Sequence, residues 1–236
     1  MPANAGKRIL LVDDNKSIRD AITDYLGSKG YDIIQAEDGI KGLHHGLSSA
    51  VDVIILDVVM PGIDGVKLCQ LLRDKGVSTP IIMLTEKAAI ADKEAGFGVG
   101  VDDYLAKPFN PRELELRIQA LQKRTRSSSQ PQERIVKHGD LEIDFTRHKV
   151  KVDGKEVGLT PIEFNILKLL ATTPGHVYSR QELLTSIWET AYEGYKRNID
   201  PHVNRLRTKI EVNPKRPKYV LTVWGVGYKF NDKLSS

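Results

Sequence analysis

Apolar and polar positions change period along this chain in a regular alternation. Ile9-Leu10-Leu11-Val12 is a short apolar run that ends in Asp13-Asp14. Ser17 to Ser28 then carries apolar residues at 18, 21, 22, 25 and 26, the spacing of a helix, and Gly30 closes it. Tyr31 to Gln35 reads as a strand and Asp38 to Leu47 as a second helix. Val53-Ile54-Ile55-Leu56 is a continuous apolar run ending in Asp57, with Pro61-Gly62 close behind. That is the pattern of a strand buried on both faces of a parallel sheet. A helix from Asp64-Gly65 to about Lys75 follows, then a run from Pro80 that ends in Thr85, and a weaker helix over about 88–96. A strand ending at Lys107 and a helix from Pro111 to Lys123 complete this half. Five strand–helix units in alternation predict a doubly wound α/β domain with a parallel sheet, over residues 1–123.

In such sheets ligands bind beyond the C-terminal ends of the strands. Asp13, Asp14, Asp57, Thr85 and Lys107 all fall at that edge. Three crowded carboxylates repel one another unless a cation sits among them, and an all-oxygen site suits Mg²⁺. Such a metal bridges to a phosphoryl group and offsets the charge that develops in transfer. Lys107 suits a phosphoryl oxygen, the Thr85 hydroxyl another, and a carboxylate can itself be the nucleophile, forming an acyl phosphate. Any one of these residues alone is an ordinary polar group at a strand end. Their convergence on one edge makes Asp57 the candidate phosphoacceptor.

Residues 124–134 hold three serines and a proline with little apolar content, and read as a flexible linker. Beyond it, over 135–236, Leu141 to Phe145, His148 to Val152 and Glu156 to Leu159 are short strands, the last two joined by Asp153-Gly154. Thr160-Pro161-Ile162-Glu163 and Ser179-Arg-Gln-Glu182 are capping boxes that start two helices. A third runs from Asn198 to Glu211 with Val203, Leu206 and Ile210 on one face, and Tyr219 to Trp224 pairs with Val226 to Phe230 as a hairpin. Pro201 is tolerable there only in the first turn, with Asp200 as the cap. Three helices and a hairpin are the order of a winged helix-turn-helix, whose third helix enters the DNA major groove.

Charge sharpens the division. Residues 1–122 carry 14 Lys/Arg against 18 Asp/Glu, and residues 123–236 carry 21 against 13. An acidic first half and a basic second half imply different partners for each.

Motifs in both halves resemble one family. Leu11-Val-Asp13-Asp14, Ile55-Leu-Asp57-Val-Val-Met-Pro61-Gly-Ile-Asp64-Gly65, Met83-Leu-Thr85 and Asp102-Asp-Tyr104-Leu-Ala-Lys107-Pro108-Phe109 resemble the receiver domain of two-component response regulators. Leu159-Thr-Pro161-Ile-Glu163-Phe164, Arg205-Leu-Arg207 and Val223-Trp-Gly225-Val-Gly227-Tyr228 resemble the effector domain of the OmpR/PhoB class. The resemblance implies that Asp57 takes a phosphoryl group from a sensor histidine kinase. It implies Mg²⁺ on Asp14, Asp57 and the Val59 carbonyl, with Asp13 acting through water. Thr85 and Tyr104 become a switch pair. Lys93 and Glu113, and Asp102 or Asp103 with Arg117 or Arg124, become ion pairs across a two-fold dimer. Arg197, Asn198, His202, Asn204, Arg205 and Lys209 become DNA contacts, in no fixed split, with Arg207 internal and paired with an acid. Trp224 stands at a wing position that is arginine in some relatives, its ring either packed or laid on the DNA backbone. Tandem direct repeats and RNA polymerase complete the implied partners.

The single cysteine, Cys69, sits among apolar neighbours at helical spacing, which fits a packed thiol in a reducing compartment. No apolar run approaches the ~20 residues of a membrane span, so a cytoplasmic location is expected. Two other classes compete with a phosphorylation-controlled transcription factor. One is a phosphatase working through an aspartyl phosphate, which the chain disfavours because no base stands ready for water attack. The other is a constitutive DNA-binding protein with a vestigial receiver, disfavoured by the complete set of acids, Thr85 and Lys107.

Overall fold

Five parallel strands frame the N-terminal half: β1 (Arg8–Val12), β2 (Asp32–Ala36), β3 (Val53–Asp57), β4 (Ile81–Glu86) and β5 (Asp103–Lys107), in the order β2-β1-β3-β4-β5. The helices between and after them are α1 (Lys16–Ser28), α2 (Gly39–Ser48), α3 (Gly65–Asp74) and α4 (Pro111–Arg126). This computed structural model describes residues 6–86, 100–126, 135–188 and 198–233, with the backbone alone for 123–126. The chain divides into two units, Met1–Arg126 and Ser127–Ser236.

Successive side chains of a strand point to opposite faces, and here both faces are covered. Ile9, Leu11, Ile55 and Leu84 pack on Ile22 and Leu26 of α1 and on Leu114, Ile118 and Leu121 of α4. Leu10, Val12, Leu56 and Met83 pack the other way, on Leu68, Cys69 and Leu72 of α3. That double burial is why these strands read as unbroken apolar runs. Strand order reverses direction between β1 and β3, and a crevice opens at such a switch point.

The C-terminal unit begins with a four-stranded antiparallel sheet, β6 (Ile135–His138), β7 (Leu141–Asp144), β8 (Lys149–Val152) and β9 (Lys155–Val157). Three helices follow, α5 (Pro161–Thr172), α6 (Arg180–Ile187) and α7 (Asp200–Ile210). A second sheet joins β10 (Tyr178–Ser179), β12 (Gly227–Phe230) and β11 (Val220–Val223), in that order. Both capping boxes form, Thr160 with Glu163 and Ser179 with Glu182. One core, including Ile143, Phe164, Leu167, Val203, Leu206 and Phe230, binds these layers together.

Several boundaries differ from the sequence reading. The α4 helix continues through Arg126, three residues into the stretch expected to be linker. β6 is an edge strand of four residues without an apolar run, and β10 is a two-residue pairing to Tyr228 and Gly227, so neither has a periodic signal. Asp200 does not cap α7. Ile199 occupies the cap position, Pro201 lies in the first turn, and the Asn198 Oδ1 accepts the Asp200 N–H at 3.0 Å. The Asp200 carboxylate bonds Arg180 instead, at 2.9 Å. The helix expected over 88–96 lies outside the described residues.

Candidate functional site

Strand register sets the first constellation. Val12 is level with Leu56, so Asp13 leaves β1 beside Asp57 at the end of β3. Asp57 is level with Leu84, and Thr85 with Ala106, so Thr85 and Lys107 each stand one step further along the edge. Lys107 Nζ lies 3.0 Å from Asp13 Oδ2 and 2.9 Å from Asp57 Oδ2. Carboxylate oxygens of Asp13, Asp14 and Asp57 all lie within 4.8 Å of one another, with Asp13 and Asp57 buried and Asp14 exposed.

One lysine cannot neutralise three carboxylates. Burial pushes the Asp57 carboxyl above its ordinary value. The Lys107 hydrogen bond and charge oppose the shift, Asp13 adds to it, and the Val59 N–H bond opposes it. Burial also acts against the Lys107 ammonium, but its bonds to Asp57 and Asp13 outweigh that and hold its pKa above the ordinary lysine value. The lysine is therefore a fixed cation. A negative excess in an all-oxygen, half-buried donor set fits a hard divalent cation such as Mg²⁺.

The turn after β3 explains the glycine of the Asp64-Gly65 pair. Asp64 caps α3 by accepting the Lys67 N–H at 2.7 Å, and the Gly65 N–H donates to the Val58 carbonyl at 3.1 Å. A β-carbon at Gly65 would overlap the Asp57 carbonyl, so the helix start can press against the end of β3 only without a side chain. Val59 is 62% exposed beside the site. The Thr85 hydroxyl donates to the Glu86 carbonyl at 3.3 Å, and Tyr104, level with Met83, shares Thr85's sheet face. Arg19 of α1, which the sequence reading passed over, donates to the Asp13 carbonyl at 2.6 Å. Its spacing to Ile22 and Leu26 places it on the inward helix face, and that was the available signal.

The expected dimer residues divide. Asp102 is buried, bonded to Arg73 at 2.8 Å and to the Ile81 N–H at 2.8 Å. It closes the entry to β4 from inside, bonded within its own chain. Asp103 bonds Arg117 at 2.8 Å, and Arg117 bonds Glu113 at 2.8 Å, all within one chain. Lys93 lies outside the described residues, as does the Arg124 side chain.

The second constellation lies on α7. Asn204 is exposed, while Arg205 and Lys209 are half-buried because both turn toward Glu163 of α5, which is 0% exposed. Lys209 Nζ lies 2.8 Å from Glu163 Oε2, and Arg205 Nε lies 3.4 Å from Oε1. His202 is 3% exposed. Its ring meets Trp188 edge-on at 5.5 Å, and its Nδ1 lies 2.8 Å from Arg205 Nη2. The His202 ring, expected among the DNA contacts, is packed inward against Trp188 with Nδ1 on Arg205. Arg207 is internal, but its partners are the Val220 carbonyl, at 2.9 and 2.7 Å, and the Thr222 hydroxyl at 2.8 Å, not an acid. Trp224, at the turn between β11 and β12, is 89% exposed, so its ring does not pack on the fold. Arg197 lies outside the described residues.

Comparisons with known proteins cover both units. Residues 9–119 match the family described as the response regulator receiver domain. Residues 154–230 match the family described as the C terminal of transcriptional regulatory proteins. The chain belongs to the response regulators of the OmpR/PhoB type. Among its relatives is the transcriptional regulatory protein ResD of Bacillus subtilis, 44% identical over 229 residues that span 94% of this chain and 95% of that protein. The DNA-binding response regulator MtrA of Mycolicibacterium smegmatis is 41% identical over 224 residues, 94% of this chain and 96% of that one. SrrA of Staphylococcus aureus is 40% identical over 231 residues, 95% of each. A solved structure of a RitR mutant, 25% identical, covers 96% of this chain and 99% of its own with a TM-score of 0.73. The protein is a DNA-binding transcriptional regulator of a two-component system, with a receiver ahead of its DNA-binding domain. No described helix is long and apolar enough to cross a membrane.

Proposed function

We propose that Asp57 is phosphorylated by a sensor histidine kinase and that this controls binding of the C-terminal unit to DNA. The observation that carries the reading is Lys107 held between Asp13 and Asp57, at 3.0 and 2.9 Å, inside a three-carboxylate cluster. The carboxylates of Asp13, Asp14 and Asp57, with the Val59 carbonyl, are the groups that would hold Mg²⁺, Asp13 through a water. The cation would neutralise charge on the phosphoryl oxygens during transfer. An Asp57 oxygen attacks phosphorus, a P–O bond forms, and the P–N bond to the kinase histidine breaks. Lys107 Nζ exchanges its Asp57 contact for a phosphoryl oxygen. The Thr85 hydroxyl, now on the Glu86 carbonyl, turns to another oxygen, and Tyr104 follows on the same face.

The phosphorylated receiver pairs with a second copy through Lys93, Asp103, Glu113, Arg117 and Arg124, exchanging intrachain for interchain ion pairs. Asp103 and Arg117 are both buried, so their intrachain bond must be replaced by an equivalent one across the dimer. Paired regulators then occupy tandem direct repeats in duplex DNA and act on RNA polymerase. Asn198, Asn204, Arg205 and Lys209, with Arg197, are the DNA-facing set of α7, and the site of action is the cytoplasm.

The test is exposure of the full chain to acetyl phosphate and Mg²⁺, read by intact mass and by binding to DNA selected from a random pool. One phosphoryl group is gained, DNA binding tightens, and Asp57→Asn shows neither change. Labelling that persists in Asp57→Asn would refute the phosphoacceptor assignment.

A further inference from the structure

Arg19 is a buried cation with no part in the transfer chemistry above. It lies on the inward side of α1 and is 8% exposed. Burying a guanidinium is costly unless its bonds compensate, so its partners identify its task. Its Nη1 donates to the main-chain carbonyl of Asp13 at 2.6 Å. Its own N–H donates to the Asn15 carbonyl at 3.1 Å. The side chain therefore grips the turn at Asp13, while the main-chain bond to Asn15 is the first bond of α1 and fixes where that side chain starts.

The rest of the turn is held just as closely. Asp13 Oδ1 accepts the Asn15 N–H at 2.8 Å, and Oδ2 accepts Lys107 Nζ at 3.0 Å. The Asp13 N–H donates to the Ala36 carbonyl at 3.3 Å. Asn15 caps α1 through bonds from the Ser17 and Ile18 N–H groups at 2.9 and 3.3 Å. Asp14, exposed, lies between the gripped Asp13 peptide and the cap of α1.

We infer that Arg19 is a positioning residue for the divalent-cation site, clamping the Asp13-Asp14-Asn15 turn so that both carboxylates are presented together. Its fixed positive charge behind the turn also offsets part of their mutual repulsion. The inference rests on the proposed metal-assisted phosphorylation. Groups that orient metal ligands in this way typically change metal affinity on the order of 10–100-fold when removed.

The experiment titrates the full-length wild type, Arg19→Gln and Arg19→Lys with Mg²⁺ by isothermal calorimetry, with no phosphodonor. Urea unfolding without Mg²⁺ establishes that each variant is folded. Arg19→Gln is expected to weaken Mg²⁺ binding on the order of tenfold, with Arg19→Lys intermediate. In acetyl phosphate labelling, the half-saturating Mg²⁺ concentration rises in step while the maximal rate at saturating Mg²⁺ stays close to wild type. If Arg19→Gln does not fold, Arg19→Lys carries the test, its shorter reach weakening Mg²⁺ binding. Folded variants that bind Mg²⁺ as tightly as wild type overturn the role of Arg19 and leave the phosphoacceptor reading intact. A wild type that binds no Mg²⁺ overturns the metal site itself, and the variants are not needed to see that.

Discussion

Lys209 of α7 reaches the fully buried carboxylate of Glu163 on α5 at 2.8 Å, so the helix proposed to face DNA is tethered to the core by a charge. The same carboxylate accepts the Thr160 N–H at 2.9 Å and faces Arg205. Removing one partner of a buried pair strands the other. Glu163→Ala is expected to destabilise the C-terminal unit by about 3–5 kcal/mol. Lys209→Met costs less, since Arg205 still faces the acid. Urea denaturation of both variants, followed by Trp188 fluorescence, checks the order; equal losses would refute it.

Gly65→Ala forces a β-carbon into the Asp57 carbonyl. Main-chain overlap of this kind is relieved only by moving α3 or the end of β3, at about 1–3 kcal/mol. Because the displaced residue is the proposed phosphoacceptor, labelling by acetyl phosphate should fall more than stability does. Gly62→Ala is the contrast: at φ +77° it is strained, yet no atom lies in the way. Unaltered labelling in Gly65→Ala would show that the helix start does not position Asp57.

His138 supplies a pH dependence. Its ring lies 4.7 Å from Phe230, and neither ring nitrogen has a hydrogen-bond partner among the described residues. Burial lowers its pKa below the ordinary 6.5. Between the lowered value and 6.5 the unfolded chain binds more protons than the folded one, so stability rises with pH. The contribution is complete above 6.5 and is lost as the pH falls from there through the folded value. Melting of the C-terminal unit should drop across that window in wild type and less in His138→Phe. Identical pH profiles would remove His138 as the cause.

Trp224 stands 89% exposed at the wing turn, where the fold gains nothing from it. Trp224→Ala should leave stability within about 0.5 kcal/mol and weaken DNA binding. Trp188 is buried, so the DNA-dependent change in tryptophan emission should vanish with Trp224. Full affinity in the variant would exclude a wing contact through this ring.

The parallel sheet was legible because β1, β3 and β4 are buried on both faces and because Asp13, Asp57, Thr85 and Lys107 fall at the ends of β1, β3, β4 and β5. Helix starts were legible where a side chain caps its own helix, as at Thr160 and Ser179. What stayed hidden depended on partners distant in sequence. Asp102 looks like its neighbour Asp103 in the chain, but Arg73 and the Ile81 N–H draw it inside. His202 and Lys209 fit a polar helix face, yet Trp188 and Glu163 claim them. β10 exists only because Gly227 lets the Tyr178 carbonyl approach, a close contact that no periodicity records.

Arg207 joins α7 to the wing by two bonds to the Val220 carbonyl and one to Thr222, from within the core. The two parts proposed to touch DNA, Asn204 and Arg205 on one side and Trp224 on the other, are therefore the jaws of a fixed caliper. A caliper selects its object by span. Operators should be sorted by the distance between the major groove and the minor groove beside it as well as by base identity. Sequence steps that change groove width between the two contacts would then alter affinity at base pairs that no side chain touches.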